Sequence, residues 1–367
     1  MAKEYEKFGF VKSPYEKTNP YLIEDKYLTW NREDLSDVRK KLDKFIDDVI
    51  DGRRVSIRVF GPAGSGKTWL TRILGKELCE KDGSTPKEQS IFIYTFLPEL
   101  SSTFSTLYQN AIDYFLKHEF ERLKNYVASV DKSLNFGSWE KVMKHDELCH
   151  VFGWISTGTP NQYLAKKWLK GEKISPSELT ALKFTYALDT DYKKFLLLTE
   201  LLKELSKIYR SVILVIDELE HVSSKLVASI DDSMRSLLDD FSENFALVAS
   251  FTAQKEDEWY DIGFSEALSR RFDYLVALDS ISSDSIDSFL AAHHKMYLKP
   301  ELQEKASIAP FTKDSLQELL RVTSPKYHFP GYTLPNCGEL IREAGEKDVN
   351  DINSDFLKAN QKVLRFI

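Results

Sequence analysis

Short apolar segments alternate with longer segments of helical periodicity along most of this chain. Each apolar segment is five to seven residues long and rich in β-branched or aromatic residues, which is typical of a buried strand. The five segments cover 55–60, 90–96, 211–216, 245–251 and 274–278. Strands that alternate with helices predict a parallel α/β sheet with helices on both faces.

The helical patterns organise the rest of the chain. Apolar residues at helical spacing predict an amphipathic helix over 34–51 and a strongly helical segment over 192–209. The region 99–209 is mainly helical and separates the second strand from the third, so we expect it to be an insertion. From about residue 281 the pattern is all-helical, with one interruption rich in proline and glycine at 325–335.

These patterns predict three parts. Residues 1–29, which hold several aromatic residues and two prolines, are expected to form an extended arm that docks onto the body. Residues 30–280 are expected to form the α/β core with its helical insertion. Residues 281–367 are expected to form a helical lid and a C-terminal tail.

Composition narrows the class of protein. The 367 residues are 42% hydrophobic and 29% charged, as in ordinary soluble proteins. No apolar run reaches the ~18 residues of a transmembrane helix, so no membrane association is expected. Three distant cysteines fit neither a disulfide framework nor a zinc site, which favours a cytoplasmic protein. The net charge of −7 argues against a protein that coats DNA through bulk charge, although a local basic face stays open.

The strongest chemical signal lies directly after the first predicted strand. There the chain reads Gly61-Pro62-Ala63-Gly64-Ser65-Gly66-Lys67-Thr68 and enters a predicted helix at Trp69. This sequence fits the phosphate-binding P-loop, which needs a strand before it and a helix after it. Glycines allow turns that point backbone N–H groups at an anion, and the helix dipole favours negative charge. We therefore expect 61–69 to bind a nucleotide, with the Lys67 amine at the β- and γ-phosphates and the Thr68 hydroxyl on Mg²⁺.

Two carboxylates follow the third predicted strand. Asp217 and Glu218 come after five apolar residues, and ligands of open parallel sheets bind at the carboxyl ends of the strands. Asp217 is expected to hold Mg²⁺ directly or through its water, and Glu218 to polarise the water that attacks the γ-phosphate. The alternative is a strand that runs into an ordinary acidic turn.

Two further polar positions follow later strands. Thr252 ends the fourth predicted strand, where its hydroxyl could help to place the attacking water; an ordinary strand-end threonine is the alternative. Arg270 and Arg271 precede the fifth strand, and paired arginines at a helix end are most often solvated or neutralise the dipole. The order of the motifs gives Arg271 a second interpretation, in which it stabilises transition-state charge at a neighbouring subunit's nucleotide.

The order of these motifs along the chain resembles that of an AAA+ ATPase of the initiator clade, near the origin-recognition ATPases. The P-loop, Asp217-Glu218, Thr252 and Arg271 match that family's Walker A, Walker B, sensor 1 and arginine finger, within a resemblance that covers about 30–345. Trp30-Asn31-Arg32-Glu33 resembles the clade's Gly-Arg-Glu box, although glycine is usual before the arginine. The resemblance implies that Arg32 borders the adenine site, that ATP binds with Mg²⁺, and that a homo-oligomer brings Arg271 to the neighbouring site.

A narrower resemblance runs from Trp168-Leu169-Lys170-Gly171-Glu172 to the acidic residues after the third strand. This stretch is similar to ATP-binding proteins of prokaryotic BREX-type phage-defence islands and related mobile loci. It implies an ATPase that remodels or regulates a DNA-linked protein partner, in phage defence or a mobile element.

The chain also departs from the family pattern. Pro335-Asn336-Cys337-Gly338 has glycine where the family places its sensor-2 arginine, and Arg342 lies one helical turn later. The sensor-2 arginine is therefore either absent or moved to Arg342. Only 22 residues follow Gly345, so a winged-helix DNA-binding domain is not expected and a replication initiator is disfavoured.

Two other functions stay open. A signalling switch of the STAND type would hold ATP to lock one conformation and would turn it over slowly. A DNA-clamping protein, similar to transposon target selectors, would form filaments when ATP is bound. Multiple-turnover kinetics would identify the first, and DNA binding that requires an ATP analogue would identify the second.

The predicted insertion carries two basic segments and one group of metal-binding residue types. The basic segments contain Lys166, Lys167, Lys170 and Lys173 around Trp168, and Lys117, Arg122, Lys124 and Lys132. We expect solvated helix faces there, with contact to a nucleic-acid backbone as the alternative. His145, Asp146, Cys149 and His150 fit no four-ligand spacing, so we expect ordinary core or surface residues rather than a metal site.

Overall fold

The computed structural model describes residues 5–15, 30–97, 104–158 and 160–367. It contains a five-stranded parallel sheet, which confirms the predicted fold class. The strands are β1 (Val55–Gly61), β2 (Ser90–Phe96), β3 (Ser211–Asp217), β4 (Phe245–Thr252) and β5 (Tyr274–Ala277). Their order across the sheet is β2-β3-β4-β1-β5, as crossover connections between parallel strands allow.

Burial explains why the strands are continuous apolar runs. Every residue of β1 and β3 is buried, and β4 is buried up to its last residue. A strand covered on both faces needs apolar side chains at successive positions. The register places Phe96 of β2 opposite Asp217 of β3, and Ile216 of β3 opposite Ala249 of β4. Beyond Ala249, β4 continues for three more residues and ends at Thr252.

Two helices flank β1 along the chain, α1 (Ser36–Ile50) and α2 (Lys67–Glu80). α1 follows a 3₁₀ turn at Glu33–Leu35 and buries its apolar stripe, with Phe45 and Val49 fully inaccessible. α2 begins inside the glycine-rich motif. Both helices confirm the sequence patterns within a few residues.

The insertion between β2 and β3 contains helices and loops in the part that the structure describes. These are α3 (Phe104–Tyr114), a π-helical turn (Phe115–Glu119), α4 (Phe120–Val130), α5 (Phe136–Glu140), α6 (Asp146–Thr157), α7 (Gln162–Leu169), α8 (Pro176–Leu182) and α9 (Asp191–Ile208). Its core is aromatic: Trp139 stacks on Phe120 with ring centroids 5.8 Å apart, and Phe152 lies 5.1 Å from Trp139. The helical insertion is thus confirmed, although its first predicted residues, 99–103, lie outside the described residues.

The remaining helices follow β3, β4 and β5. They are α10 (Val227–Asp240), α11 (Glu258–Ile262), α12 (Glu266–Ser269), α13 (Ile286–Tyr297), α14 (Lys313–Val322), α15 (Pro330–Glu346) and α16 (Ser354–Ala359). Across the described ranges, none of the helices has both the length and the apolar character needed to cross a membrane.

The predicted interruption at 325–335 is wrong in its second half. A 3₁₀ helix covers Pro325–Tyr327, but α15 already begins at Pro330 and continues through Pro335. Proline is favourable at the first helical position because no N–H bond is lost there. Pro335 removes one bond, to the carbonyl of residue 331, and that loss does not end the helix.

Contacts divide the chain into two compact units. The first unit consists of Met1–Leu42, Phe60–Lys76 and Ala277–Ile367, and the second consists of Asp43–Val59 and Glu77–Val276. The first unit therefore contains the P-loop and the lid, and the second contains Asp217 and the insertion. The domain boundaries near 30 and 281 remain predictions.

Part of the predicted arm belongs to the first unit. Phe10 is 1% exposed and bridges to Leu298, while Tyr15 is 5% exposed and packs into the core of the lid. Residues 1–4 and 16–29 of the arm lie outside the described residues. Aromatic side chains thus anchor the described section of the arm.

Candidate functional site

The glycine-rich motif connects β1 to α2. Gly64 (φ 77°) and Gly66 (φ 102°) adopt a left-handed backbone that residues with a Cβ rarely enter. Lys67 is the first residue of α2, so the first N–H groups of this helix lie at the loop. Strand, glycine turn and helix start therefore occur in the order that a phosphate-binding loop requires.

The buried polar groups of the loop fit a phosphate. Lys67 is 8% exposed, and its Nζ donates to the carbonyls of Gly61 (2.9 Å) and Pro62 (3.2 Å). The Ser65 Oγ is buried and makes no hydrogen bond to any residue that the structure describes. A Cβ added to Gly66 would meet no atom within 4 Å. A buried hydroxyl without a partner costs about 1–3 kcal/mol, and a phosphate oxygen would supply its acceptor.

Arg32 keeps one donor without a partner. It is 4% exposed, and it binds Asp34 through Nε–Oδ1 (2.9 Å) and Nη2–Oδ2 (2.8 Å). Nη2 also donates to the carbonyl of Asp279 at 2.9 Å. Nη1 is buried without a hydrogen bond among the described residues. A donor of this kind is compatible with the base contact that the family resemblance implies for Arg32.

Helix α15 contacts the P-loop through a pair of glycines. The Gly331 N–H donates to the Gly64 carbonyl at 2.9 Å. A Cβ on Gly331 would lie 2.8 Å from the Gly64 Cα, and a Cβ on Gly64 would lie 2.9 Å from the ring of Tyr332. Both positions therefore require glycine. The sequence analysis missed this contact because it assigned these residues to an interruption.

The segment Pro335-Asn336-Cys337-Gly338 of the lid, which lacks the sensor-2 arginine, is packed inside the first unit. A Cβ on Gly338 would lie 2.8 Å from the Tyr15 Cβ, so an arginine there would displace the arm. Arg342 forms an ion pair with Glu339, a 5% exposed residue that also pairs with Arg365. The guanidinium of Arg342 is thus held by a carboxylate of its own helix.

Asp217 is completely buried at the end of β3 and is held by three donors. Its Oδ2 accepts from the Tyr94 hydroxyl at 2.5 Å, and its Oδ1 accepts from the Ser250 hydroxyl and from the Glu218 N–H at 3.0 Å. Charge-assisted hydrogen bonds of this kind fix the orientation of a carboxylate. Sequence reasoning did not identify Tyr94 and Ser250 as partners; a polar group near the end of an apolar strand was the available signal.

Glu218 has a strained backbone. Its φ of 63° and ψ of 42° are left-handed, which is uncommon for residues other than glycine. The Glu218 Oε2 lies 3.9 Å from His221 Nδ1, and that ring nitrogen also contacts the Leu97 carbonyl at 2.8 Å. Strain of this kind clusters at functional sites, where the surroundings hold it in place. The observation supports Glu218 as a candidate functional residue.

The end of β4 offers two candidate hydroxyls. Thr252 is half-buried, and its N–H donates to Glu220 Oε2 at 2.9 Å, in the acidic turn after β3. The hydroxyl that contacts Asp217 belongs to Ser250, two residues earlier. Ser250 is therefore a second candidate for the role that the sequence assigned to Thr252.

Arg271 is held within its own chain. Its guanidinium binds Asp239 through Nε–Oδ1 (2.9 Å) and Nη2–Oδ2 (2.8 Å), and Nη1 donates to the Ala267 carbonyl at 2.8 Å. The hydrogen bonds to Asp239 raise the pKa of Arg271. Arg270 pairs with Glu266 instead, and its side chain is 76% exposed. Any contact of Arg271 with a second copy requires the bond to Asp239 to open.

The residues of metal-binding type in the insertion have structural contacts. His145 caps α6 by accepting from the Leu148 N–H at 3.4 Å, and His150 stacks on Phe136 at 3.9 Å. Cys149 is buried, which raises the pKa of its thiol to about 12. Within the described ranges, no cluster of three or more histidine, cysteine, aspartate or glutamate residues is suited to hold a metal ion.

A protein family matches the part of the chain that carries these features. The family described as "KAP family P-loop domain" matches residues 36–250, which is more than half of the chain. The match includes the P-loop, the insertion and Asp217-Glu218, and it ends before Thr252. No curated protein matches the chain in sequence.

Solved structures share the fold at low identity. The chain is similar to the ORC2 protein of Aeropyrum pernix, solved in ADPNP–ADP complexes, with 11% identity and a TM-score of 0.50 over 93% of this chain and 71% of that one. It is also similar to Cdc6p from Pyrobaculum aerophilum, with 13% identity and a TM-score of 0.50 over 94% of this chain and 72% of that one. These similarities show a fold like that of the ORC2 and Cdc6p structures.

Proposed function

This chain belongs to the KAP family of P-loop domains, and from that premise we propose that it binds ATP with Mg²⁺ and hydrolyses it. One observation carries the proposal: the loop at 61–68 combines the buried Lys67 amine, the partnerless Ser65 hydroxyl and open space at Gly66. In P-loop enzymes such groups surround the phosphates. The ORC2 protein that shares the fold was solved with ADPNP and ADP, which supports the choice of an adenine nucleotide.

The proposed roles follow from the chemistry of each side chain. Lys67 neutralises charge on the β- and γ-phosphates. Thr68 and Asp217 hold Mg²⁺, which prefers oxygen ligands. Glu218 polarises the attacking water, and Thr252 helps to place it. Phosphoryl transfer depends mainly on positioning and charge stabilisation, so these groups are sufficient for slow hydrolysis.

Tyr94, Ser250 and Arg32 have supporting roles in this proposal. The two hydroxyls fix the orientation of the Asp217 carboxylate, so that the magnesium ligand does not rotate. Ser250 is the alternative to Thr252 as the polar group beside the reacting phosphate. Arg32 contributes its unpaired Nη1 donor to the adenine side of the nucleotide.

We extend the proposal to a homo-oligomer that acts on a partner. Arg271 leaves Asp239 and stabilises transition-state charge at the nucleotide of a neighbouring copy, a role that increases turnover by about 10³–10⁵-fold in other P-loop enzymes. Assembly and hydrolysis are then coupled. The partner that is remodelled or regulated is a DNA-linked protein of a phage-defence or mobile-element system, as the resemblance around 168–172 suggests.

The test is nucleotide binding and turnover in matched variants. Lys67→Ala should abolish binding of a fluorescent ATP analogue, whereas Lys132→Ala, at an exposed lysine of the insertion, should leave it unchanged. Glu218→Gln should keep binding and lower phosphate release by about 10²–10³-fold, the usual cost of removing one transition-state contact. Full turnover in Lys67→Ala would refute the assignment of the site.

A slow signalling switch is the second candidate function, and the lid favours it. The hydrogen bond from Gly331 to Gly64 couples α15 directly to the P-loop, and Arg342 is already paired with Glu339. Near-zero turnover with tightly held nucleotide would support the switch. Turnover per molecule that rises with protein concentration would support the oligomeric ATPase, and particle images with an ATP analogue, with and without duplex DNA, would show the assembly.

A further inference from the structure

The helical insertion contains a cavity of about 510 Å³. Its walls come from α3, the π-helical turn, α4, α6 and α7, all within the second unit. The volume lies within the roughly 300–1,000 Å³ that small-molecule sites occupy. The proposed ATPase does not use this cavity.

Positive charge is in excess around the cavity. The lining includes four lysines and two carboxylates, which are Lys117, Lys124, Lys166, Lys170, Asp113 and Glu121. Lys170 pairs with Asp113 at 2.6 Å, and Lys124 pairs with Glu121 at 2.6 Å. Neither Lys117 nor Lys166 has a carboxylate within ion-pair distance in the ranges that the structure covers. Two ammonium groups are therefore available to an anion.

The cavity lining also contains apolar side chains and an unsatisfied hydroxyl. Phe120 (4% exposed) and Ile155 (5% exposed) line it together with Leu116. The Ser156 Oγ, also in the lining, is buried and has no hydrogen-bond partner among the described residues. A ligand with an apolar or planar body and a polar edge would cover the apolar side chains and give the Ser156 hydroxyl a hydrogen-bond partner.

A local irregularity of the backbone shapes the lining. The π-helical turn Phe115–Glu119 interrupts the α3–α4 rod and carries both Leu116 and Lys117. Such turns are rare and are frequently found at functional sites. One of the two lysines without a carboxylate partner, Lys117, thus lies on the distorted turn.

The tryptophan of the basic segment is not placed to stack on a nucleic-acid base. Base stacking needs exposed aromatic rings, but Trp168 is 1% exposed, and its Nε1 donates to the Tyr186 carbonyl at 2.9 Å. The basic residues around Trp168 therefore have no stacking platform in that indole. Four of the lysines from the two basic segments instead line one concave cavity.

We propose that this cavity binds a small organic phosphate of nucleotide size. Lys117 and Lys166 neutralise the phosphate, and Lys124 and Lys170 add positive charge at longer range. The apolar side chains of the lining pack against the planar base of the ligand. Most of the binding energy then comes from the combination of charge and apolar burial, so inorganic phosphate alone binds more weakly than a mononucleotide.

The test is calorimetric titration of the whole chain with AMP, which lacks the β- and γ-phosphates that Lys67 would hold. Lys117→Gln/Lys166→Gln should weaken AMP binding at least about tenfold, which corresponds to about 1.4 kcal/mol. The matched control Lys132→Gln/Lys173→Gln removes two exposed lysines of the insertion outside the cavity and should leave affinity within about twofold of wild type. Lys67→Ala should retain AMP binding, and thermal unfolding verifies that every variant is folded.

Three results would overturn the proposal. The first is that neither AMP nor inorganic phosphate binds, and the second is that both double variants weaken AMP binding equally. The third is that Lys67→Ala removes AMP binding, which would place the ligand in the P-loop. A short oligothymidine that binds through Lys117 and Lys166 while AMP does not would reassign the surface to a nucleic-acid backbone. A failure of ATP hydrolysis, by contrast, would leave these outcomes unaffected.

Discussion

The P-loop and the Asp217 carboxylate differ in how far their buried polar groups are satisfied by the protein itself. The Ser65 hydroxyl is buried without a partner among the described residues. Both carboxylate oxygens of Asp217, in contrast, accept hydrogen bonds, which come from Tyr94, Ser250 and the Glu218 N–H. Buried polar groups are normally paired, and at a glycine-rich loop before a helix a phosphate oxygen would supply the partner that the Ser65 hydroxyl lacks.

This difference shows which half of the proposed site depends on nucleotide. The Asp217 carboxylate is held by its own chain before any ligand arrives. The P-loop gains partners when phosphate binds, so a nucleotide should stabilise the first unit more than the second.

Asp217→Asn should have the largest effect, because an amide is a poor magnesium ligand and presents an NH₂ group to one of its donors. ATP turnover should fall about 10²–10³-fold. The free energy of unfolding should fall by about 1–3 kcal/mol, because a buried hydroxyl loses its acceptor. Phosphate release and urea unfolding measure the two effects.

The control for this variant is Tyr94→Phe, which removes one hydrogen bond and keeps the carboxylate. It should cost about 1 kcal/mol of stability and leave most of the turnover. Normal turnover in Asp217→Asn would contradict the magnesium role. Equal losses of turnover in both variants would mean that orientation, rather than the carboxylate charge, limits hydrolysis.

Mild acid should weaken the first unit through two buried histidines of α13. Burial lowers the pKa of His293 to about 4 and that of His294 to about 3. An unfolded histidine titrates near pH ~6.5, so the unfolded chain binds more protons than the folded chain between that pH and the folded pKa. Stability is therefore lost as the pH falls below ~6.5, by up to about 1.4 kcal/mol per pH unit for each histidine.

Burial keeps both rings neutral, although their hydrogen bonds to backbone carbonyls act in the opposite direction. The Tyr15 hydroxyl contacts His294 Nε2, the Ser307 carbonyl contacts its Nδ1 at 2.9 Å, and the Pro14 carbonyl contacts His293 Nε2 at 2.7 Å. No carboxylate in the described part of the chain is hydrogen-bonded to either ring. Urea unfolding between about pH 5 and pH 8 should show a flatter profile in His293→Gln/His294→Gln than in wild type. His150→Gln, at a half-buried ring of the second unit, should change the slope less, and an unaltered slope in the double variant would disprove the effect.

Gly331→Ala should disturb the P-loop directly. The new Cβ would lie 2.8 Å from the Gly64 Cα, and backbone atoms cannot move away as a flexible side chain can. Overpacking of this kind costs about 1–3 kcal/mol, which a thermal-unfolding scan would detect. The matched control is Gly137→Ala in α5, where the nearest atom is 3.4 Å away, and it should be neutral or slightly stabilising.

The effect of nucleotide on Gly331→Ala tests whether the contact between α15 and the P-loop depends on bound nucleotide. If the contact between α15 and Gly64 belongs to the nucleotide-bound state, the variant should gain less thermal stability from an ATP analogue than wild type. A gain equal to that of wild type would show that the lid contact and the phosphate site are independent. A variant as stable as wild type without ligand would contradict the close glycine contact itself.

The sheet was predictable because its signals are local. β3 was predicted over 211–216 and is observed over Ser211–Asp217, since a strand buried on both faces is a continuous apolar run that ends at the first charge. The first part of helix α15, from Pro330 to Pro335, was not predicted, because the two prolines resemble helix breakers and their small cost depends on position within the helix. Pattern alone could not supply that position.

The contacts that complete the candidate site were not predictable in the same way. Ser250 meets Asp217 only because β4 lies beside β3, and the strand order is a property of the whole fold. Gly331 and Gly64 are distant in sequence, and their need for glycine arises where two backbones touch. A sequence motif identifies the groups that do chemistry, whereas the residues that hold them come from tertiary packing.

Asp239→Asn should have the smallest effect, and it tests whether an arginine from a second copy completes the nucleotide site. Both members of the Arg271–Asp239 pair are partly exposed, so stability should hardly change. Removing the charge that holds Arg271 should raise ATP turnover by about two- to fivefold at protein concentrations where copies meet, because less energy is needed to release the guanidinium. Glu266→Gln, which releases Arg270 instead, is the matched control and should leave turnover unchanged. An equal gain from both variants, or a gain that persists on dilution, would mean that Arg271 serves its own chain as a structural residue and that the nucleotide site is complete without a neighbour.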